Sequence, residues 1–285
     1  EHTSRGLGDV YKRQASSWIT SPLIAGILAF FIYLSAKKLI IDAKNQVTAA
    51  IFYIPFYSFF VAGVIAQVIA RKGLSHIGLS WSDNEIWFFT ALISLSTAGV
   101  TSLALRLNKE SISSKGGIEY AFGILMIVTA CAMAFAHGSN DVANAIGPLA
   151  AIISVVNSSD LSSTAPINPA ILLLGGAGIV LGLSTLGYKV IKTVGEKITK
   201  LTPSLGFSAE MAAASTVVFA SYLGFPISTT HTLIGGVVGV GLANSAKDVD
   251  WSSVYRIFAS WIITIPIGAV FTILFYVFLR VIFNV

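Results

Sequence analysis

The sequence predicts an all-α integral membrane protein, a multi-span helical bundle in which some helices are broken or re-entrant. The 285 residues are 55% hydrophobic and 11% charged, with a mean hydropathy of +0.81, whereas an average soluble domain has about 25% charged residues. Seven apolar segments are near or above the roughly 20 residues that a helix needs to cross a bilayer. Two of them are too long for one span, and each contains a polar cluster.

The apolar segments are separated by short polar loops, and they run over residues 15–36, 47–70, 86–105, 118–156, 168–190, 207–244 and 253–283. Lys and Arg follow the first, third and fifth segments, so those loops are predicted to be cytoplasmic. Loop 157–166 carries neither and is predicted to be external, as is the C-terminus. Arg71 and Lys72, after the second segment, run against this pattern. The chain is expected in a cell or inner membrane, with 118–156 crossing once and 207–244 re-entrant.

The two ends of the apolar region carry similar stretches. "ASSWITSPLIAG" begins at Ala15 and "ASWIITIPIGA" begins at Ala259. The predicted topology runs the two copies in opposite directions, which is typical of inverted repeats in secondary transporters. The chain is therefore predicted to hold one repeat plus the last helix of a preceding one.

This reading divides the chain into three parts. Residues 1–14 have no initiator methionine and no apolar core, and they are expected to be a non-native or disordered tail. Residues 15–117 are expected to be membrane helices that lead from a missing first half. Residues 118–285 are expected to form the C-terminal repeat of a truncated chain.

The first polar interruption is "AHGSNDVANAIGPLA", residues 136–150. An ionised carboxylate such as Asp141 costs on the order of 2.5 to 3.5 kcal/mol at the centre of a membrane helix, so something must compensate it. Asn140 and Asn144 share a helical face with Asp141 about 100° away, and a break near Gly138 would free carbonyl oxygens. This set suits a hard monovalent cation. The alternative is a buried polar cluster that holds helices together.

The second interruption is "GFPISTTHTLIGG", residues 224–236. Pro226 fits a break or the first turn of a new helix. Four hydroxyl side chains follow it: Ser228, Thr229, Thr230 and Thr232. Hydroxyl donors at a positive helix terminus suit phosphate or another oxyanion. The alternative is an ordinary Ser/Thr N-cap, which uses the same residue types.

Other site classes have weaker support. His137 lies four residues before Asp141 and His231 lies among the threonines, but neither forms a His-Glu-x-x-His pattern, so an enzyme is not predicted. Cys131 is the single cysteine, which excludes an intrachain disulfide and a cysteine-rich metal site. The net charge of +5 falls in short clusters between apolar tracts, so nucleic acid is not an expected partner.

Glycine and glutamate residues give packing expectations. Two pairs of glycines lie four residues apart and are predicted to allow close helix approach: Gly178 with Gly182, and Gly235 with Gly239. Glu119 and Glu210 lie near the starts of apolar segments, where a carboxylate suits the helix dipole. A cation-ligand role for Glu210 stays open.

At its two polar interruptions the chain resembles the inorganic phosphate transporter (PiT) family of sodium- or proton-coupled phosphate symporters. "HGSNDVANAIGPLAAI" is similar to that family's Gly-Ala-Asn-Asp-Val-Ala-Asn-Ala signature, and "PISTTHTLIGGVVGVGL" to its Pro-Val-Ser-Thr-Thr-His motif. The resemblance extends from Ala15 to the end of the chain. Ser139 stands where the family usually has alanine, and Ile227 where it has valine.

The resemblance implies a symporter that carries inorganic phosphate with Na⁺ or H⁺, built from two inverted halves of which one set of motifs is present. The implied phosphate ligands are Asn140, Asn144, Ser228, Thr229 and Thr230. The implied cation and coupling residues are Asp141, Asn144 and Thr230, with Asp141 holding Na⁺. The residues given secondary roles are His137, Ser139, His231 and Thr232.

The expected partners are phosphate, Na⁺ or H⁺, the lipid bilayer, and the missing half or a second chain; no cofactor beyond Na⁺ is expected. A homodimer is left open. Two alternatives also remain: a transporter of another oxyanion such as sulfate, and a non-transporting half-protein that pairs with a partner chain.

Overall fold

The computed structural model describes residues 2–73, 81–158, 169–223, 225 and 227–283, without some of the side chains inside the helices. These residues form ten α-helices: α1 (His2–Ala36), α2 (Gln46–Val68), α3 (Asp83–Leu107), α4 (Lys109–Ser113), α5 (Gly117–Ser158), α6 (Pro169–Gly182), α7 (Tyr188–Lys192), α8 (Pro203–Tyr222), α9 (Thr229–Ser245) and α10 (Trp251–Phe283). Short π-helical turns adjoin four of them: Lys37–Ile41, Ile69–Gly73, Leu183–Gly187 and Thr193–Ile198. The predicted all-α class is confirmed.

Six helical stretches of the described chain are long and apolar enough to cross a membrane. They are Gln14–Ile41, Gln46–Arg71, Asp83–Leu107, Gly117–Gly138, Pro169–Ile198 and Trp251–Phe283. Their positions match the predicted apolar segments, and the multi-span architecture is confirmed. The sidedness of the loops, the inverted repeat and the three-part division of the chain stay predictions.

Two helix starts are stabilised by local side chains. Asn45 accepts a hydrogen bond from the main-chain N–H of Thr48 and caps α2. Ser82 and Glu85 form a reciprocal capping box at the start of α3, in which each side chain accepts from the other residue's main-chain N–H. Caps of this kind satisfy amides that have no acceptor within the helix.

The predicted break in segment 118–156 is wrong: α5 runs without interruption through Gly138 and Pro148. A helix satisfies nearly all its main-chain groups internally, which matters where lipid offers no partners. One glycine costs about 1 kcal/mol relative to alanine in a helix, and that is too little to break it. A proline inside a membrane helix removes a single donor, which neighbouring groups compensate.

Helix α8 lies at the centre of the bundle, because its side chains join all three clusters of the hydrophobic core. Phe207 packs with α2 and the start of α5. Ala209 and Ala212 pack with α1 and α9. Val217 packs with the end of α2 and the middle of α5. A helix that is apolar on every side is typical of such a buried position.

The tightest helix crossing in the described chain joins α1 and α9. A Cβ atom on Gly26 would lie 3.0 Å from the carbonyl oxygen of Gly235. Side chains on Gly235 or Gly239 would overlap the main chain of Pro22 and Gly26, respectively. The prediction for the pair Gly235 and Gly239 is therefore confirmed, since their missing side chains let two main chains touch.

Helices α6 and α10 lie on the outside of the described bundle. None of the side chains of α6 is buried, and α10 is exposed from Ile262 to its end. A Cβ atom on Gly178 or Gly182 would meet no described atom within 4 Å. The predicted close packing of this second glycine pair is therefore wrong, because the helix that carries it has no close neighbour on that face among the described residues.

Candidate functional site

The second polar interruption is a break between two helices, as predicted. Helix α8 ends at Tyr222 and α9 begins at Thr229. The described residues between them are not helical, and Phe225 donates its main-chain N–H to the carbonyl of Ala220 at 2.9 Å. Pro226 and Gly224 lie outside the described residues. A new helix therefore begins inside an apolar tract, and its N-terminus carries a partial positive charge.

Two of the four hydroxyl residues at this terminus serve the helix itself. The Oγ of Ser228 accepts from the main-chain N–H of His231 at 3.3 Å and forms the N-cap of α9. The hydroxyl of Thr232 donates to the carbonyl of Ser228 at 2.7 Å and is fully buried. The ordinary N-cap considered from the sequence is thus present, and it fixes the conformation of the break.

The hydroxyl residues divide between two environments. Thr229 is 1% exposed and faces the core. Ser228, Thr230 and His231 line a cavity of about 1510 Å³ between α1, α9 and α10. The structure therefore brings Ser228 and Thr230 together at an open space, whereas the predicted phosphate ligand Thr229 points into the packed interior.

His231 connects the break to the two similar stretches at the ends of the apolar region. Its ring stacks on that of Trp261 with centroids 3.6 Å apart and an angle of 19°. The ring also donates a hydrogen bond to the main-chain carbonyl of Trp18. Its Nδ1 is buried and has no partner among the described residues. His231 therefore holds α1 and α10 beside the start of α9.

The first polar motif lies on α5 next to the break. Ala136, which directly precedes His137, packs in one core cluster with Ile227, which directly precedes Ser228. The side chains of residues 139–141 and 143–145 lie outside the described residues. The roles predicted for Ser139, Asn140, Asp141 and Asn144 therefore stay predictions, while the backbone places the start of their motif beside the second one.

Two glutamates connect α5 to α8 through hydrogen bonds to residues that the sequence did not predict as their partners. The carboxylate of Glu210 on α8 accepts from the hydroxyl of Thr129 on α5 at 2.8 Å. Glu119 on α5 accepts from Ser204 in the first turn of α8. Glu119 lies in the first turn of its own helix, as predicted, and its carboxylate also stabilises the N-terminus of the neighbouring helix α8. These partners lie about 80 residues apart, so local patterns carry no signal for them.

The matches to known proteins include both polar motifs. The model of a phosphate transporter family matches residues 7–272. A putative phosphate permease of Haemophilus influenzae is 45% identical over 273 residues, which cover 94% of this chain and 65% of the relative. The chloroplastic inorganic phosphate transporter 2-1 of Arabidopsis thaliana is 38% identical over 291 residues, which cover 92% of this chain and 48% of the relative.

A solved structure also matches the fold. The structure titled "The sodium-dependent phosphate transporter" superposes with a TM-score of 0.75 and 37% sequence identity. The match covers 88% of this chain and 62% of the solved one. The chain thus spans less than two thirds of the length of each of these relatives.

Proposed function

This chain belongs to the phosphate transporter family, and we propose that it carries inorganic phosphate across a membrane by symport with Na⁺. The observation that carries the proposal is the start of α9, where Ser228 and Thr230 line a cavity and where Ile227, next to Ser228, packs in one cluster with Ala136 at the start of the α5 motif. Membership of a transporter family supports the prediction that the chain is not an enzyme.

The phosphate oxyanion binds at the N-terminus of α9. Helix N-termini attract anions because their first amides lack intrahelical acceptors and carry partial positive charge. Thr230 lines the cavity, and its hydroxyl adds a donor, while Ser228 keeps the helix start in place through its cap. Asn140 and Asn144 supply amide donors from α5. Thr229 and Thr232 are buried and support this helix start from the other side.

The coupling cation is Na⁺, and Asp141 is its charged ligand, with Asn144 and Thr230 as neutral ligands. A cation and an anion that share a site of low dielectric attract each other strongly. Each ligand therefore raises the affinity for the other by the same factor, because binding linkage is reciprocal. The sodium-dependent transporter found by structural comparison supports Na⁺ over H⁺.

The test is phosphate uptake into proteoliposomes that contain this chain, with and without an inward Na⁺ gradient. We expect uptake by the parent protein to require Na⁺. The Asp141→Asn variant should lose this Na⁺-dependent uptake. Thr230→Ala should raise the phosphate concentration for half-maximal uptake. Thr185→Ala is the matched control, because that hydroxyl bonds only carbonyls of its own exposed helix among the described residues.

Competing anions identify the substrate. Excess sulfate should leave phosphate uptake unchanged if phosphate is the substrate, and should inhibit it if the site serves oxyanions in general. Uptake driven equally well by a proton gradient without Na⁺ would overturn the choice of coupling ion. Uptake unaffected by Asp141→Asn would overturn the cation site.

A further inference from the structure

Arg71 is a positively charged residue outside both signature motifs, and its side chain contacts residues of three helices. It lies in the π-helical turn after α2, at the end of a membrane-spanning stretch. Its Nε donates to Oε1 of Gln67 at 2.7 Å, and its Nη1 lies 3.0 Å from Oδ1 of Asp83 at the start of α3. Its Cζ atom lies 4.6 Å from the ring centroid of Tyr222, the last residue of α8.

A second cavity, of about 240 Å³, opens beside this guanidinium. Gln67, Arg71 and Tyr222 supply polar groups to its wall, and valine and alanine side chains of α2, α5 and α8 complete it. Among the described residues that line it, Arg71 alone is charged. The cavity is therefore small, largely apolar and positive at one point.

The position of this cavity relates it to the proposed phosphate site. One of its lining residues, Ala136, directly precedes the α5 motif. Two others, Val68 and Val217, pack in the same core cluster as Ile227, which precedes the cap of α9. The cavity therefore adjoins residues next to both motifs, and it shares no lining residue with the larger cavity, which lies against α1 and α10.

The ion pair with Asp83 does not cancel the charge of Arg71 inside the cavity. The Arg71 side chain is 21% exposed, whereas that of Asp83 is 70% exposed. Water and salt screen the exposed charge of Asp83 much more than the largely buried charge of Arg71. The bond from Nε2 of Gln67 to Thr90, at 3.1 Å, fixes the amide so that its oxygen meets Arg71. The guanidinium is thus held rigidly, and its planar set of donors matches a phosphate oxyanion.

We propose that this second cavity is an access subsite for free inorganic phosphate, in which Arg71 draws the oxyanion toward the site between the two motifs. The proposal rests on the proposed function and adds a second, electrostatic step to it. Arg71 is not a ligand of the final site. It raises the local concentration of the anion beside that site.

The test is equilibrium binding of radiolabelled inorganic phosphate to the purified chain at low and high ionic strength. Arg71→Gln should weaken binding about tenfold at low salt, because the positive charge beside the site no longer lowers the electrostatic energy of the bound anion. Phosphate binding by Arg71→Gln should also change less with salt concentration than phosphate binding by the parent protein. Arg71→Lys should lie between the two, because it keeps the charge and loses the planar donors.

Asp83→Asn separates this role from a structural one. If Arg71 only braces α2 against α3, removal of either partner of the ion pair weakens binding. If Arg71 recruits phosphate, Asp83→Asn should strengthen binding by roughly two- to threefold, because a competing negative charge is gone. Changes of the same sign in Arg71→Gln and Asp83→Asn would overturn the proposal.

Further outcomes separate failure of the subsite from failure of the proposed function. If the parent binds no phosphate, the proposed function fails, and the subsite fails with it. If the parent binds phosphate and Arg71→Gln binds it equally well, only the subsite fails. The measurements are repeated in detergent free of phospholipid. An effect of Arg71→Gln that vanishes there would assign the guanidinium to a lipid headgroup and overturn the role for free phosphate.

Discussion

The carboxylate of Glu119 on α5 accepts two hydrogen bonds from Ser204 in the first turn of α8, one from the main-chain N–H at 2.9 Å and one from Oγ at 2.8 Å. Ser204 is 1% exposed, so water does not replace this acceptor readily. The central helix of the bundle is therefore capped by its neighbour, and its start is tied to the start of α5.

Glu119→Ala should destabilise the protein by about 1 to 2 kcal/mol, because a buried amide and hydroxyl lose a charged acceptor. Thermal unfolding in detergent measures the change, and Glu110→Ala, at an exposed glutamate of α4, is the matched control. Equal melting temperatures for the two variants would show that the cap contributes nothing.

Gly239→Ala should destabilise the bundle by roughly 1 to 3 kcal/mol, the usual cost of overpacking, because its Cβ would overlap the main chain of Gly26. Gly182→Ala is the control with the same chemical change in open space, and it should be neutral or slightly stabilising. Comparison of the two melting temperatures checks the prediction. Similar losses in both variants would contradict the crossing of α1 and α9.

Thr129→Val should cost about 1 to 3 kcal/mol, because it removes the donor that the Glu210 carboxylate accepts from, at a site between α5 and α8. Thr129→Ser keeps the hydroxyl and should retain most of the stability. Unfolding midpoints of the three proteins test this, and a valine variant as stable as the parent would show that the hydrogen bond is dispensable.

The carboxylate of Asp250, at the start of α10, should make the stability of the protein depend on pH. The hydroxyl of Ser253 donates to its carboxylate at 2.7 Å and lowers the pKa of that carboxyl, with further help from the main-chain N–H of Ser252. A lowered folded-state pKa contributes stability above the ordinary aspartate range, and this contribution is lost as pH falls through the folded-state value.

Asp250→Asn should therefore be less stable than the parent at neutral pH, and the difference should shrink as the pH falls below about 4. Melting temperatures measured across that range test the sign. Asp248→Asn, at an exposed aspartate two residues earlier, is the control and should differ less from the parent. A difference for Asp250→Asn that grows on acidification would contradict the assignment.

Local patterns predicted the membrane class and the break before α9 but not the continuity of α5. Long apolar runs predict helices because lipid cannot hydrogen-bond the main chain. A cluster of Ser and Thr after proline predicts a helix start, which Ser228 provides. Gly138 suggested a break in α5 as well. There the residue types tolerate both states, and the chain forms the continuous helix, which satisfies nearly all of its main-chain groups internally.

The sequence by itself determined which segments are long and apolar enough to cross a membrane, where α9 begins and which family the chain resembles, because these depend on composition and on short motifs. Only the tertiary structure decided that Thr229 faces the core while Thr230 faces a cavity, that Gly235 and Gly239 touch α1, and that Arg71 meets Tyr222. The two residues of the last pair lie about 150 positions apart. Such contacts arise when packed helices exclude other arrangements, and no spacing along the chain records them.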